Sequence, residues 1–212
     1  MRRLALALPL LLLPALASAH PHVFVTAGVT IVYDGARPVA VRLDWAYDDF
    51  FSLLLTSDLG IDLDGDLELQ PDEAKTLAAA VSDWPADFTG DLSVEQGGAP
   101  VRLGARTDHA VRYEDGLVFE THVRPLQDTG EGPLTVRVFD PYYYTAYEIA
   151  GPIRIEGREG CAAEIVPADV EAATEMVQEM LGGIAPGDVG AEEAFPEVGA
   201  AFADTITVTC AP

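Results

Sequence analysis

Short stretches rich in Val, Ile, Thr and aromatic residues, each closed by a turn signal, recur through most of this sequence and commit it to β-structure. His22 to Tyr33 is the first; Asp34-Gly35 supplies a turn and Val39 to Tyr47 resumes the alternation, which predicts a β-hairpin. Further strands are predicted at Leu92 to Glu95, Val101 to Leu103, Ala110 to Tyr113, Leu117 to Arg124, Leu134 to Phe139, Tyr142 to Ile149, Ile153 to Glu156, Ala163 to Val166 and Thr205 to Cys210. Two helices interrupt the series at about 48–84. Asp48 to Ser57 is apolar enough for a short buried helix, and Pro71 to about Trp84 opens with proline and acidic residues, as a helix N-terminus does. Ala168 to Leu181 is a third helix, with Val170, Ala173, Val177 and Met180 on one face. The Gly-, Ala-, Pro- and Glu-rich stretch from Gly182 to Ala203 reads as a mobile loop. The expected fold class is mainly β with added helices: an antiparallel β-sandwich with a helix–loop–helix, EF-hand-like insertion and one C-terminal helix.

The first nineteen residues stand apart. Arg2 and Arg3 precede an apolar run from Leu4 to Leu13, and Ala17-Ser18-Ala19 supplies the small residues a signal peptidase accepts. Pro9 and Pro14 interrupt the run, which is too short to span a bilayer. Residues 1–19 are therefore expected to be a secretory signal peptide, leaving a single periplasmic β-rich domain, 20–212, with no direct membrane insertion. An oxidising compartment lets the only two cysteines, Cys161 and Cys210, form a disulfide. Without Arg2 and Arg3, ten of the twelve basic residues remain against 35 acidic ones. Such a charge repels nucleic acid and anionic lipid, and it concentrates cations.

Cleavage after Ala19 would make His20 the first residue, offering a free α-amine beside its imidazole. His22, two positions on, presents a second imidazole on the same side of an extended chain. Three nitrogens suit zinc, nickel, cobalt or copper. Pro21 has no amide hydrogen, so a square-planar site built on deprotonated backbone amides is excluded, and chelation by amine and imidazole remains. His122, in a strong strand pattern, is taken as a further metal ligand; His109 and the carboxylates of Asp44, Asp48, Asp49 and Asp140 are weaker candidates. A second cation site is suggested at Asp62 to Glu73. Asp62, Asp64 and Asp66 occupy the first, third and fifth places of an EF-hand-like calcium loop, with Glu68 at the seventh and Glu73 at the twelfth. Leu67 stands at the sixth place, where the loop needs a positive φ and normally has glycine.

The order HPHVFV after a leader, then LDWAYDDFFS, a D-x-D-G-D loop, PDEAKTL, FDPYYYTAYEI and a late cysteine pair resembles a bacterial periplasmic family catalogued as domain of unknown function 1007. The resemblance spans nearly the whole mature chain. It implies a periplasmic, ABC-transport-like component associated with nickel, cobalt or zinc transporters, with His20 and His22 matching the leading motif. The function expected is a non-enzymatic, periplasmic metal-binding accessory protein that supports an inner-membrane metal transporter. Two alternatives are a copper-dependent histidine-brace enzyme, and an interaction module docking through Tyr142, Tyr143, Tyr144 and Tyr147. No Ser–His–Asp set, HExxH motif or phosphate-binding glycine loop is present.

Overall fold

The structure is a computed structural model that describes residues 21–85, 87–182 and 195–211. The expected signal peptide and His20 lie outside the described residues.

The described residues are mainly β, with three α-helices. Strands β1 (Val23–Asp34) and β2 (Arg37–Tyr47) form the expected hairpin. Every second residue of β1 from Val23 to Tyr33 is buried, so the alternation read in the sequence is the inner face of a sheet. After β2 come helices α1 (Asp49–Leu59) and α2 (Pro71–Ser82), then strands β3 (Leu92–Gln96), β4 (Ala99–Pro100) and β5 (Arg102–Leu103). Strands β6 (Thr107–Glu114) and β7 (Leu117–Gln127) form a second hairpin. Asp115 and Gly116 turn it with φ of 52° and 81°, and two positive φ values in a two-residue loop match the right-handed twist of the strands. Strands β8 (Leu134–Val138), β9 (Thr145–Ile149), β10 (Arg154–Glu156) and β11 (Cys161–Val166), helix α3 (Val170–Met180), a 3-10 turn (Gly199–Phe202) and strand β12 (Thr205–Cys210) complete it.

Two sheets result. In the first, β1, β2 and β7 are neighbours, with β9 and β10 on the outer edge of β1 and β6 and β5 on the outer edge of β7. The second runs β11-β12-β8-β3-β4. One apolar core takes side chains from both, including Val29, Ile31 and Leu43 from the first and Val136, Val138, Ile206 and Val208 from the second. The sheets are not purely antiparallel as expected: β1 pairs in parallel with both β9 and β10. The chain crosses between sheets after β8, so β9 arrives beside β1 from the other sheet and not from a neighbouring hairpin.

Three local expectations are corrected. Tyr142 to Tyr144 are not strand. Asp140 accepts hydrogen bonds from the Tyr142 and Thr145 amides at 3.0 Å each, and Tyr143 lies at φ 57°, so an aspartate-nucleated turn overrides β-propensity. Helix α1 turns a mixed face inward: Ser52 and Thr56 are buried and Phe51, Leu55 and Leu59 half-buried, whereas Phe50, Leu53 and Leu54 are exposed. The Ser52 hydroxyl accepts the Val118 amide at 3.0 Å, so a backbone donor of β7 decides which side of the helix turns inward. On α3 the buried residues are Ala173 and Val177, continued by Leu181, while Val170 and Met180 face out. They pack with Phe195, Val198 and Phe202, so the last part of the expected mobile loop is ordered; 183–194 lie outside the described residues.

Cys161 and Cys210 form the expected disulfide, as register partners of β11 and β12. Their sequence separation is 49, so opening the bridge releases a long loop. Replacing both by serine is expected to cost about 4 kcal/mol by chain entropy. Denaturant unfolding of the variant against oxidised wild type checks this, and equal midpoints would contradict it.

Candidate functional site: a polar ladder between two cavities

Strand β7 carries the unusual feature of this molecule. Its inward residues are Val118, Glu120, His122, Arg124 and Leu126, so three ionisable side chains line one face of a central strand. Glu120 is 1 % exposed and His122 0 %. Burying such groups is costly unless they find partners, and the elements around β7 supply them to the first.

Glu120 is held from three sides. The Tyr47 hydroxyl, from β2, donates to Oε2 at 2.9 Å. His109 Nε2, from β6, lies 2.9 Å from Oε1, and Arg106 Nη1 lies at 3.8 Å. Ser82, at the end of α2, donates its hydroxyl to the Ala78 carbonyl and lies 3.2 Å from His109 Nδ1. A hydroxyl has one proton, so Ser82 must accept from His109 Nδ1–H. Neutral His109 then has a bare Nε2, and the short contact to Glu120 needs one shared proton, held by the carboxyl or by the imidazole. Burial pushes the Glu120 carboxyl up to about 7 against the opposing pull of Tyr47 and Arg106, and burial and Arg106 lower His109.

His122 has a different environment. It stands edge-on between Trp45 and Trp84, with ring centroids at 4.6 and 4.8 Å and interplanar angles of 80° to both. Neither ring nitrogen has a hydrogen-bond partner. Burial, reinforced by His109, Arg106 and Arg124, lowers its pKa to about 3, so the ring is neutral. Gly90 backs it at φ 73°, a conformation that favours glycine, and a Cβ there would lie a tight 3.1 Å from His122 Nε2 and from Trp84.

The ladder separates two cavities. The first, of about 310 Å³, is walled by Trp45, Tyr47, Trp84 and Tyr147, with Glu120 and Asp91 in its lining and Val23 and Tyr144 also contributing. Tyr147 donates to Asp91 at 2.6 Å; burial, with the charge of Asp140, pushes Asp91 up to about 7 in spite of that bond. The second, of about 530 Å³, lies beyond Phe88 and Asp91, which line both, and includes Arg124.

The start of β1 is fastened to the first cavity. His22 N and Val23 N donate to the Tyr144 carbonyl at 2.8 and 3.2 Å, and the His22 ring lies 4.8 Å from that of Tyr144. Asp48 accepts the Phe24 amide at 2.7 Å with one oxygen and caps α1 through the Phe51 amide at 2.8 Å with the other.

Residues 5–210 match the family model described as Protein of unknown function (DUF1007). The chain belongs to that family. No curated protein matches it.

The sequence-predicted ligands of this DUF1007 protein fall into separate places. His22 is exposed beside the first cavity. His122 is level with Leu43 on β2, which is level with Val29 on β1. That is seven residues along from His22, roughly 20 Å of strand. The two cannot share one ion, and the expectation of His122 as a co-ligand is corrected: the strand that carries it runs into the core. The weaker carboxylate candidates hold backbone or neighbouring side chains. Asp44 accepts from Thr121, Asp49 from the Phe50 amide, and Asp48 and Asp140 as described above.

Among the described residues, Asp62, Asp64 and Asp66 bring metal-ligating oxygens together, within 4.8 Å of one another. Glu73 accepts the Asp62 and Gln70 amides at 3.1 and 2.8 Å, lacing the loop to the start of α2. Glu68 is exposed, its amide bonded to Asp66 at 2.9 Å. Leu67 adopts φ 64°.

Sequence reasoning missed the ladder, although a signal was present. Glu120, His122 and Arg124 lie at i, i+2 and i+4 in a strand, so they must share a face, and Val118 and Leu126 on that face mark it as the inner one.

Asp91 gives a pH test. The buried carboxyl holds its proton more tightly folded than unfolded, so its contribution to stability is complete below the ordinary carboxylate range and is lost as pH rises toward 7. Asp91→Asn keeps an acceptor for Tyr147 and removes the titration. The stability difference between variant and wild type should be near zero at about pH 4 and grow by about 1.4 kcal/mol per pH unit until about pH 7. Urea unfolding across that range checks it; a flat difference refutes it.

Proposed function

We propose that this DUF1007 protein is a periplasmic, non-enzymatic metal-binding accessory protein. It captures a divalent transition metal (zinc, nickel, cobalt or copper) through the α-amine and imidazole of a processed His20 together with His22, and it supports an inner-membrane metal transporter. The observation that carries this reading is the fastening of the first described residues. An N-terminus that merely frays is a poor chelator, because ordering it costs conformational entropy on every binding event. Here the backbone at His22, Val23 and Phe24 is already bonded to Tyr144 and Asp48. Much of that ordering cost is met by folding, before any metal arrives. The surplus of acidic residues draws cations toward the surface.

The decisive comparison is between protein whose first residue is His20 and the same chain with one alanine added before it. The addition moves the α-amine off His20 and leaves both imidazoles. Metal titration should show at least about tenfold weaker binding of the extended form, the loss of one good ligand. Equal affinities would remove the amine from the site and this reading with it.

A second reading concerns the insertion between β2 and β3. We read the two sheets as the halves of a β-sandwich and the α1–loop–α2 unit as an EF-hand-like calcium site of structural purpose. What favours it is Leu67: its φ of 64° is the conformation that the sixth place of a calcium loop requires, so the missing glycine has not changed the backbone. Calcium at about 1 mM, the range of weak extracellular sites, should raise Tm. Asp64→Ala, which breaks no hydrogen bond identified in the loop, should abolish the rise and leave the calcium-free Tm unchanged. A wild-type Tm indifferent to calcium would sink this reading.

A further inference from the structure

Among the described residues, Arg124 is the member of the β7 ladder whose charge no ion pair balances. It is 8 % exposed, and its guanidinium makes one long hydrogen bond, from Nη1 to the Phe88 carbonyl at 3.4 Å. Its Nε is buried without a partner. Of the carboxylates nearby, Glu120 is committed to Tyr47 and His109 and Asp91 to Tyr147, while Asp87 is exposed at the cavity lining. Among the described residues no acid counters the two influences that lower the Arg124 pKa, burial and the like charge of Arg106. In a chain with almost three acidic residues for each basic one, an inward guanidinium without a carboxylate is conspicuous. A buried cation left uncompensated costs several kcal/mol, and a good counter-ion recovers much of that.

This guanidinium lines the cavity of about 530 Å³, within the size range of small-molecule sites. The rest of the lining is mostly apolar, with Phe88, Val101, Leu103 and Phe139, and it offers the hydroxyls of Thr89 and Ser93. We infer that this second cavity binds a small organic monocarboxylate, its carboxylate held by the planar fork of Arg124 and its apolar body against the Phe88 and Phe139 side. An arginine fork matches a carboxylate in two parallel hydrogen bonds. A dianion such as phosphate fits less well, because Asp87 and Asp91 share the lining with a single cation. The site is separate from the His20–His22 reading and stands or falls without it.

The test uses the processed full chain, titrated calorimetrically with hexanoate and benzoate and, as neutral counterparts, hexanamide and benzyl alcohol. Each carboxylate should bind saturably and at least about tenfold more tightly than its neutral counterpart, as one charge-assisted contact predicts. Arg124→Met should weaken carboxylate binding at least about tenfold while leaving the ligand-free protein as stable as wild type or more so, because a lone buried charge has been removed. Arg124→Lys keeps the charge without the fork; it should also bind more weakly, and it carries the comparison if the methionine variant does not fold. Absence of binding at about 10 mM, neutral analogues binding as well as acids, or undiminished binding by the folded variants would each overturn the inference.

Discussion

The architecture turns on one constraint: the central strand β7 sends a glutamate, a histidine and an arginine into an interior built mainly of aliphatic and aromatic side chains. Buried polar groups in a low-dielectric interior must be satisfied by specific partners or accept a large penalty, so their positions dictate much of what surrounds them. Tyr47 must end β2 within reach of Glu120, and His109 must face inward on β6. Ser82 must close α2 beside His109. Arg106 spans the group, donating to the Ser82 carbonyl at 2.9 Å while its guanidinium lies 4.0 Å above the Trp84 ring. The helical insertion is thus bound to the sheets by a polar network as well as by the small apolar cluster around Ile61, Leu77 and Val118.

The framework of strands was legible because it rests on period-two burial and on turn chemistry, both local. The β1–β2 hairpin and the Asp115-Gly116 turn are cases where every local preference agrees with the fold. The disulfide was legible from the presence of a single cysteine pair. The parallel pairing of β9 and β10 with β1 was not, because no local pattern encodes which distant edge a strand joins. The exposure of Phe50, Leu53 and Leu54 on α1 was hidden for a related reason: their apolar character suggested burial, but the inward face also holds Ser52, which accepts the Val118 amide. His122 was singled out for the wrong role. A histidine in a strand could be a ligand or a core residue, and only the two indole rings beside it decide. The fastening of the His22 backbone to Tyr144 was not legible, because it depends on a turn more than a hundred residues away in the chain.

The turn at Asp140 joins the two regions that the functional readings concern. Its carboxylate shapes the segment through the Tyr142 and Thr145 amides, and that segment offers the Tyr144 carbonyl to His22 and Val23. The same chain continues into β9, where Tyr147 reaches Asp91. A single capped turn therefore sets both the anchorage of the first strand and one wall of the aromatic cavity. The tyrosines that looked like one cluster in the sequence are divided by it. Tyr142 faces out toward Glu197, Tyr143 stacks on Phe202 at 3.9 Å between ring centroids, the Tyr144 carbonyl accepts the His22 and Val23 amides and Tyr147 reaches Asp91.

The short segment between α2 and β3 has a comparable double duty. Phe88 and Asp91 each face both cavities, so the wall between them is one side chain thick at these points. Gly90 and Asp91 both adopt positive φ, and a β-carbon at Gly90 would press tightly on His122 and Trp84. Asp91 also fixes β8, because its carbonyl accepts the Phe139 amide at 2.7 Å. A segment this constrained cannot yield on one side alone. Displacing Phe88 toward either cavity must shift the carbonyl that Arg124 touches and the ring packed edge-on against Trp84 at 4.7 Å. The two cavities therefore share a wall whose side chains are packed on both faces, as protein interiors generally are.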